Sequence, residues 1–198
     1  MLSQTVMADN KTDAETLLKS KLDAVISVLQ QKELGKETKN GQILEIVTPS
    51  FDFSLMAKLA LGKKYWPGLA RDKQEEYTDV FVKRLKETYL EKLNLYTDEQ
   101  VVYLATVESG NKIHIPTELI SKGSKIIILY KLYKSNHGWK IYDVEVEGVS
   151  VVSTYRSQFD QILSTGTIDD LLLKIGKTGN ASAKPAESSK VTAGQSTK

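Results

Sequence analysis

Residues 101–147 read VVYLATVESGNKIHIPTELISKGSKIIILYKLYKSNHGWKIYDVEVE. Before Thr97 the apolar residues recur every three or four positions; after it they recur every second one. Val101, Tyr103, Ala105 and Val107 share one side of a first strand, and Gly110 marks a turn. Ile113 and Ile115 then alternate with Lys112 and His114. A third strand runs from Lys125 to Lys134, and a fourth from Trp139 to Glu147 through the turn residues Asn136, His137 and Gly138. Consecutive strands with such short connections predict an antiparallel meander. The third is apolar on both faces, with Ile126, Ile128, Tyr130 and Leu132 on one and Ile127 and Leu129 on the other. A strand buried on both sides needs cover over each. Helices supply one; the other takes either core side chains or a ligand, two fillings with the same composition.

Helical patterns flank this stretch on both sides. The capping box Thr12-Asp-Ala-Glu15 opens a helix with Leu18, Leu22, Val25, Ile26 and Leu29 on its apolar face, ending near Gly35. A short helix from Gln42 to Val47 is closed by Pro49, and Asp52 caps a third from Phe53 that stops at Gly62. A long helix from Asp72 to Leu93 carries Tyr77, Phe81, Leu85 and Tyr89 on one side. After the strands, Val152, Tyr155, Phe159 and Ile162 share a face up to Gly166, and Thr167 caps a last helix with Leu171, Leu172 and Ile175. Helices set apart from an antiparallel sheet define an α+β fold. The expectation is a sheet of about four strands with an N-terminal helical set and two C-terminal helices.

The chain has 198 residues and a formal net charge of +2, too even a balance for a nucleic-acid binder. The sign comes from the end of the chain: residues 177–198 carry +3, leaving −1 on residues 1–176. That tail has no aromatic residue and a single valine, so it is expected to be disordered. At the start, MLSQTVMA places Val6 and Ala8 like the small residues before a secretory cleavage site. Three regions follow: 1–8, a remnant of a signal peptide or an artificial start; 9–176, the folded body; and 177–198, the tail.

The chemical inventory is thin. There are no cysteines, which excludes disulfides, thiolate metal sites and cysteine nucleophiles. The two histidines, His114 and His137, cannot make a multi-histidine metal centre. Neither a phosphate loop nor a nucleophile elbow is present. Asp143, Glu145 and Glu147 share one side of the fourth strand, opposite Tyr142, Val144 and Val146. Asp143 inside a cone-shaped sheet would suit a general base for an isomerase or dehydratase; the same acidic row also suits solvent or pairing with lysines.

Three stretches carry a resemblance. Phe51-Asp-Phe-Ser-Leu-Met-Ala-Lys-Leu-Ala-Leu-Gly62, followed by Trp66, resembles a signature of the toluene-tolerance family, the periplasmic phospholipid-binding proteins of the MlaC type. Trp139-Lys-Ile-Tyr-Asp-Val-Glu-Val-Glu-Gly-Val-Ser150 is similar to a second, and Tyr155-Arg-Ser-Gln-Phe159 with Gly166 and Asp169 to Leu172 to a third. Order and spacing agree from about Leu17 to Ile175; the acid at Asp169 or Asp170, where the family often has glycine, and the tail depart from it. The resemblance implies a curved sheet of the nuclear-transport-factor type, a cone enclosing glycerophospholipid acyl chains, and no catalysis. It implies export, after a signal peptide, to the periplasm of a Gram-negative bacterium. There such a protein, expected as a monomer, takes phospholipid between an outer-membrane lipoprotein–porin complex and an inner-membrane ABC transporter with a lipid-binding ring, maintaining outer-membrane lipid asymmetry. Under that reading the lining is Ile126, Ile128 and Tyr130 of the third strand; Tyr142, Val144 and Val146 of the fourth; Val149, aimed inward by the Gly148 turn, and Val152; and Phe53 and Met56 of the helical lid. Each of these is equally an ordinary core position. Arg156 is available either to a phosphate or to Asp143 or Glu147.

Overall fold

The computed structural model describes residues 3–93, 99–121 and 123–177, with side chains from residue 10 onward. The tail beyond Lys177 and the period change at Thr97 lie outside the described residues. The first helix, α1, spans Ser3–Leu29. It runs through the Thr12 capping box instead of starting there, because no glycine or proline interrupts the chain between Ser3 and Leu29. It also stops short of Gly35, where Lys39 Nζ donates to the Leu29 carbonyl at 3.0 Å and so satisfies an otherwise orphaned acceptor. Lys39 belongs to α2 (Lys36–Val47), which begins six residues before Gln42 and leads into a 3₁₀ turn at Pro49.

Helix α3 spans Phe53–Tyr65. Asp52 caps it as expected, accepting from the Leu55 N–H at 2.9 Å. Gly62, at φ 80°, breaks the helical path before the last turn. After α4 (Arg71–Leu93), the strands are β1 (Gln100–Tyr103), β2 (Val107–Ser109), β3 (Lys112–Ser121), β4 (Ser124–Ser135), β5 (Gly138–Val146) and β6 (Val149–Ser150). The chain ends in α5 (Val151–Leu163) and α6 (Ile168–Lys177).

All strand pairings are antiparallel, in the order β1-β3-β4-β5-β6, with β2 also on β3. The expected first strand is therefore two. The gap between them faces Pro116 of β3, whose carbonyl accepts from Leu104 N at 3.0 Å. A proline has no N–H to return, so the ladder lapses there. Two-residue Glu147-Gly148, with φ of 51° and 76°, turns β5 into β6.

Three buried clusters hold the described residues together. Ala14 and Leu18 of α1 cover Ile113, Ile115, Leu132, Trp139 and Ile141 on the inner face of the sheet. Helices α3 to α6 form a second cluster around Tyr77, Phe81, Tyr155 and Phe159, whose ring centroids lie 5.2–6.1 Å apart. The third joins Val25, Val28 and Leu29 of α1 to Ile43 of α2.

Candidate functional site

The three clusters do not close on one another. Between them lies a cavity of about 230 Å³. Its floor is the sheet: Ile128 and Tyr130 from β4, Ile141, Val144 and Val146 from β5. Its walls are Leu18, Lys21, Leu22 and Val25 of α1, Ile43, Leu44 and Val47 of α2, and Leu85, Lys86, Tyr89, Leu90 and Leu93 of α4. Ser50, Phe51, Phe53, Met56 and Val151 complete it, and none of these side chains is a carboxylate.

Of the ten residues expected to line such a space, Phe53, Met56, Ile128, Tyr130, Val144 and Val146 border it. The other four do not, each for a local reason. At Tyr142 the β4–β5 register shifts: Lys131 pairs with Asp143 but Leu132 with Ile141. That bulge gives one extra residue to β5, so Ile141 takes the inward place. The Tyr142 ring turns to Tyr133, 6.0 Å away, under Lys112 Nζ. Val149 is 38% exposed, since the tight turn pairs it with Val146 at the sheet's edge. Val152 is buried among the helices, while Val151 beside it borders the cavity. Ile126 sits one inward position beyond Ile128, opposite Leu119 and outside the lining.

The wall from α1, α2 and α4 was not anticipated as lining. In the sequence Leu22, Val25, Leu85 and Tyr89 fall on apolar helical faces, and an apolar stripe looks the same whether it meets a side chain or a space. Burial pushes the hydroxyls of Tyr130 and Tyr89 upward, Tyr155 and Asp143 adding to the shift at Tyr89 and Tyr103 to that at Tyr130, so both stay neutral donors. Ser50 is 2% exposed, and its Oγ has no hydrogen-bond partner among the described residues.

Asp143 does not border the cavity. It is buried and saturated: Ser150 Oγ donates to it at 2.7 Å, Val152 N at 3.2 Å, Val144 N at 2.9 Å and Lys131 Nζ at 3.3 Å. The Val152 amide is one of the unpaired donors at the start of α5, so the carboxylate anchors that helix to the sheet. Burial opposes the charge on Lys131, but Glu145 and Asp143 outweigh it and raise its affinity for a proton. Arg156 reaches neither acid; it donates to the Leu59 carbonyl and ties α5 to α3. Trp66 anchors by packing edge-on to Tyr77.

No helix among the described residues is long and apolar enough to cross a membrane, and no group of three or more acids or histidines among them has metal-holding geometry. Over residues 19–177 the chain matches the family model described as MlaC protein. It is 22% identical over 190 residues to the Intermembrane phospholipid transport system binding protein MlaC of Haemophilus influenzae, covering 91% of this chain and 87% of that protein. Among solved structures it is similar to the phospholipid-binding protein of Ralstonia solanacearum in complex with a phospholipid. That likeness has a TM-score of 0.73 and 22% identity, over 82% of this chain and 94% of the other.

Proposed function

Because the chain belongs to the MlaC protein family, we propose that it is a periplasmic phospholipid carrier that encloses acyl chains in the cavity and performs no chemistry on them. The relatives' names supply the class, phospholipid binding and intermembrane transport. The observation that carries the proposal is the apolar, carboxylate-free space between the sheet and α1, α2 and α4. An apolar cavity of about 150 Å³ takes one benzene, so this one takes roughly nine carbon-sized groups. That is part of one long acyl chain, and enclosing the chains of a phospholipid requires the helices to part.

Exposure to water costs about 0.8 kcal/mol per methylene, so one chain of about fifteen carbons resists crossing by roughly 12 kcal/mol. Lipid in a bilayer is already dry, and transfer into a dry cavity is close to isoenergetic. The barrier is the passage between, which the carrier removes by docking with a donor or acceptor. Under this proposal the partners are an outer-membrane lipoprotein–porin complex and an inner-membrane ABC transporter with a lipid-binding ring, and the role is to maintain outer-membrane lipid asymmetry. Release into bulk solvent is then slow without a partner. The competing reading, an isomerase or dehydratase using Asp143 as base, lacks geometric support, because that carboxylate is saturated and outside the cavity.

Native mass spectrometry with lipid extraction, on protein purified without detergent, tests the carrier directly. The expected result is co-purifying phospholipid that survives gel filtration. Protein that is lipid-free as purified and takes up none from vesicles contradicts it.

A further inference from the structure

The cavity ends where packed clusters begin. Along α1 its lining runs from Leu18 to Val25, about 10 Å at the helical rise. Leu18 also belongs to the buried cluster of Ile115, Leu132 and Trp139, so that end stops against the sheet. Val25 belongs to the cluster of Val28, Leu29 and Ile43, so the other end stops where α1 meets α2. Across the space, Met56 is buried in the helical cluster, and Phe53 stacks on Phe51 with ring centroids 5.3 Å apart. A long chain, or a second one beside the first, has to displace one of these packed groups. A short single chain displaces none. The lining exposes almost only apolar surface and is not sealed from solvent, so such a chain enters while its head stays in water.

Beyond the carrier reading, though in the same cavity, we propose that the protein binds lipids with one unbranched acyl chain, taking about nine carbons of it without opening. Each methylene that leaves water for this wall raises affinity about fourfold. Methylenes beyond the packed ends stay in water or have to force a cluster apart, and they add little. The mark of the site is therefore a break in affinity against chain length, set by the volume at about nine carbons.

The test is isothermal titration calorimetry on the full chain, stripped of phospholipid. The ligands are monoacyl phosphatidylcholines of about six to fourteen carbons, each below its micelle concentration. The expected result is one ligand per protein, with affinity rising about fourfold per methylene to about nine carbons and less than about twofold per methylene after that. Leu22→Phe and Val144→Phe, each adding bulk to one wall, are expected to move the break about three carbons shorter. An affinity that keeps its slope to the longest chain shows that the walls part even for one chain, and overturns the proposal. A break that stays in place in the folded variants does the same; if neither variant folds, the curve of the unaltered protein decides. Protein that co-purifies with phospholipid but binds no monoacyl ligand overturns this site and leaves the carrier reading intact. A break near nine carbons in protein that never holds phospholipid supports the site and overturns the carrier reading.

Discussion

Asp143 illustrates how a residue's neighbours decide its work. A buried carboxylate on a strand of a curved sheet has the makings of a base, but four donors already occupy it, including a main-chain amide of α5. Its removal in Asp143→Ala leaves Lys131 and that amide without this partner, and is expected to cost about 3 kcal/mol, read as a shift in the urea midpoint. An unshifted midpoint would deny it the structural role. On the cavity floor, Val146→Glu puts the first carboxylate on a wall that has none. Lipid recovered with that variant is expected to drop at least about tenfold, with the circular dichroism of the folded state retained; full occupancy would show that Val146 does not meet the acyl chain. His114 gives a pH signature. Burial first, and Lys131 and Lys112 next, lower its proton affinity in the folded state, with Glu145 and Asp143 opposing. Protons therefore favour the unfolded chain; the contribution to stability is intact above the ordinary histidine value near 6.5 and is lost below it, as pH falls through the lowered folded-state value. Urea midpoints between pH 8 and pH 5 should fall more steeply for the unaltered protein than for His114→Gln; parallel curves contradict this.

At the level of elements, most boundaries were legible because local chemistry sets them. Asp52 and Thr167 each cap the helix expected of them, and Gly62 breaks α3 where its positive φ requires. The atoms nearest to a Cβ at Gly62 are those of the Arg156 side chain, at 3.7–3.9 Å, so Gly62→Ala is strained by its backbone angle and not by a clash. The expected loss is about 1–2 kcal/mol in thermal or chemical unfolding, and an unchanged stability would show that the kink relaxes. What was not legible depends on partners distant in sequence. The capping box at Thr12 is sound local chemistry, overridden because α1 simply continues upstream. The first strand divides because of Pro116, which lies on its neighbour. A strict two-residue alternation places Tyr142 inward, and a bulge set by the pairing with β4 turns it out. Six of ten lining assignments border the cavity because alternation holds up to that bulge; α2 and α4 contribute walls that no single strand pattern announces.

The whole molecule is a sheet and a helical set that meet around a space. Three apolar clusters, each dense by itself, leave between them a volume that a more conventional domain would fill with side chains. A short list of chemically active residues suits that architecture, because a carrier needs a dry wall and an opening. The central claim is that acyl chains occupy this space. It is tested most directly by loading the protein with a phospholipid bearing a diazirine on its acyl chain, irradiating, and mapping the cross-linked peptides. The account predicts labels on α1 near Leu22, on α4 near Tyr89 and on the floor at Ile128 and Val144. Labels confined to the exposed faces, such as Val107 and Leu173, would contradict it.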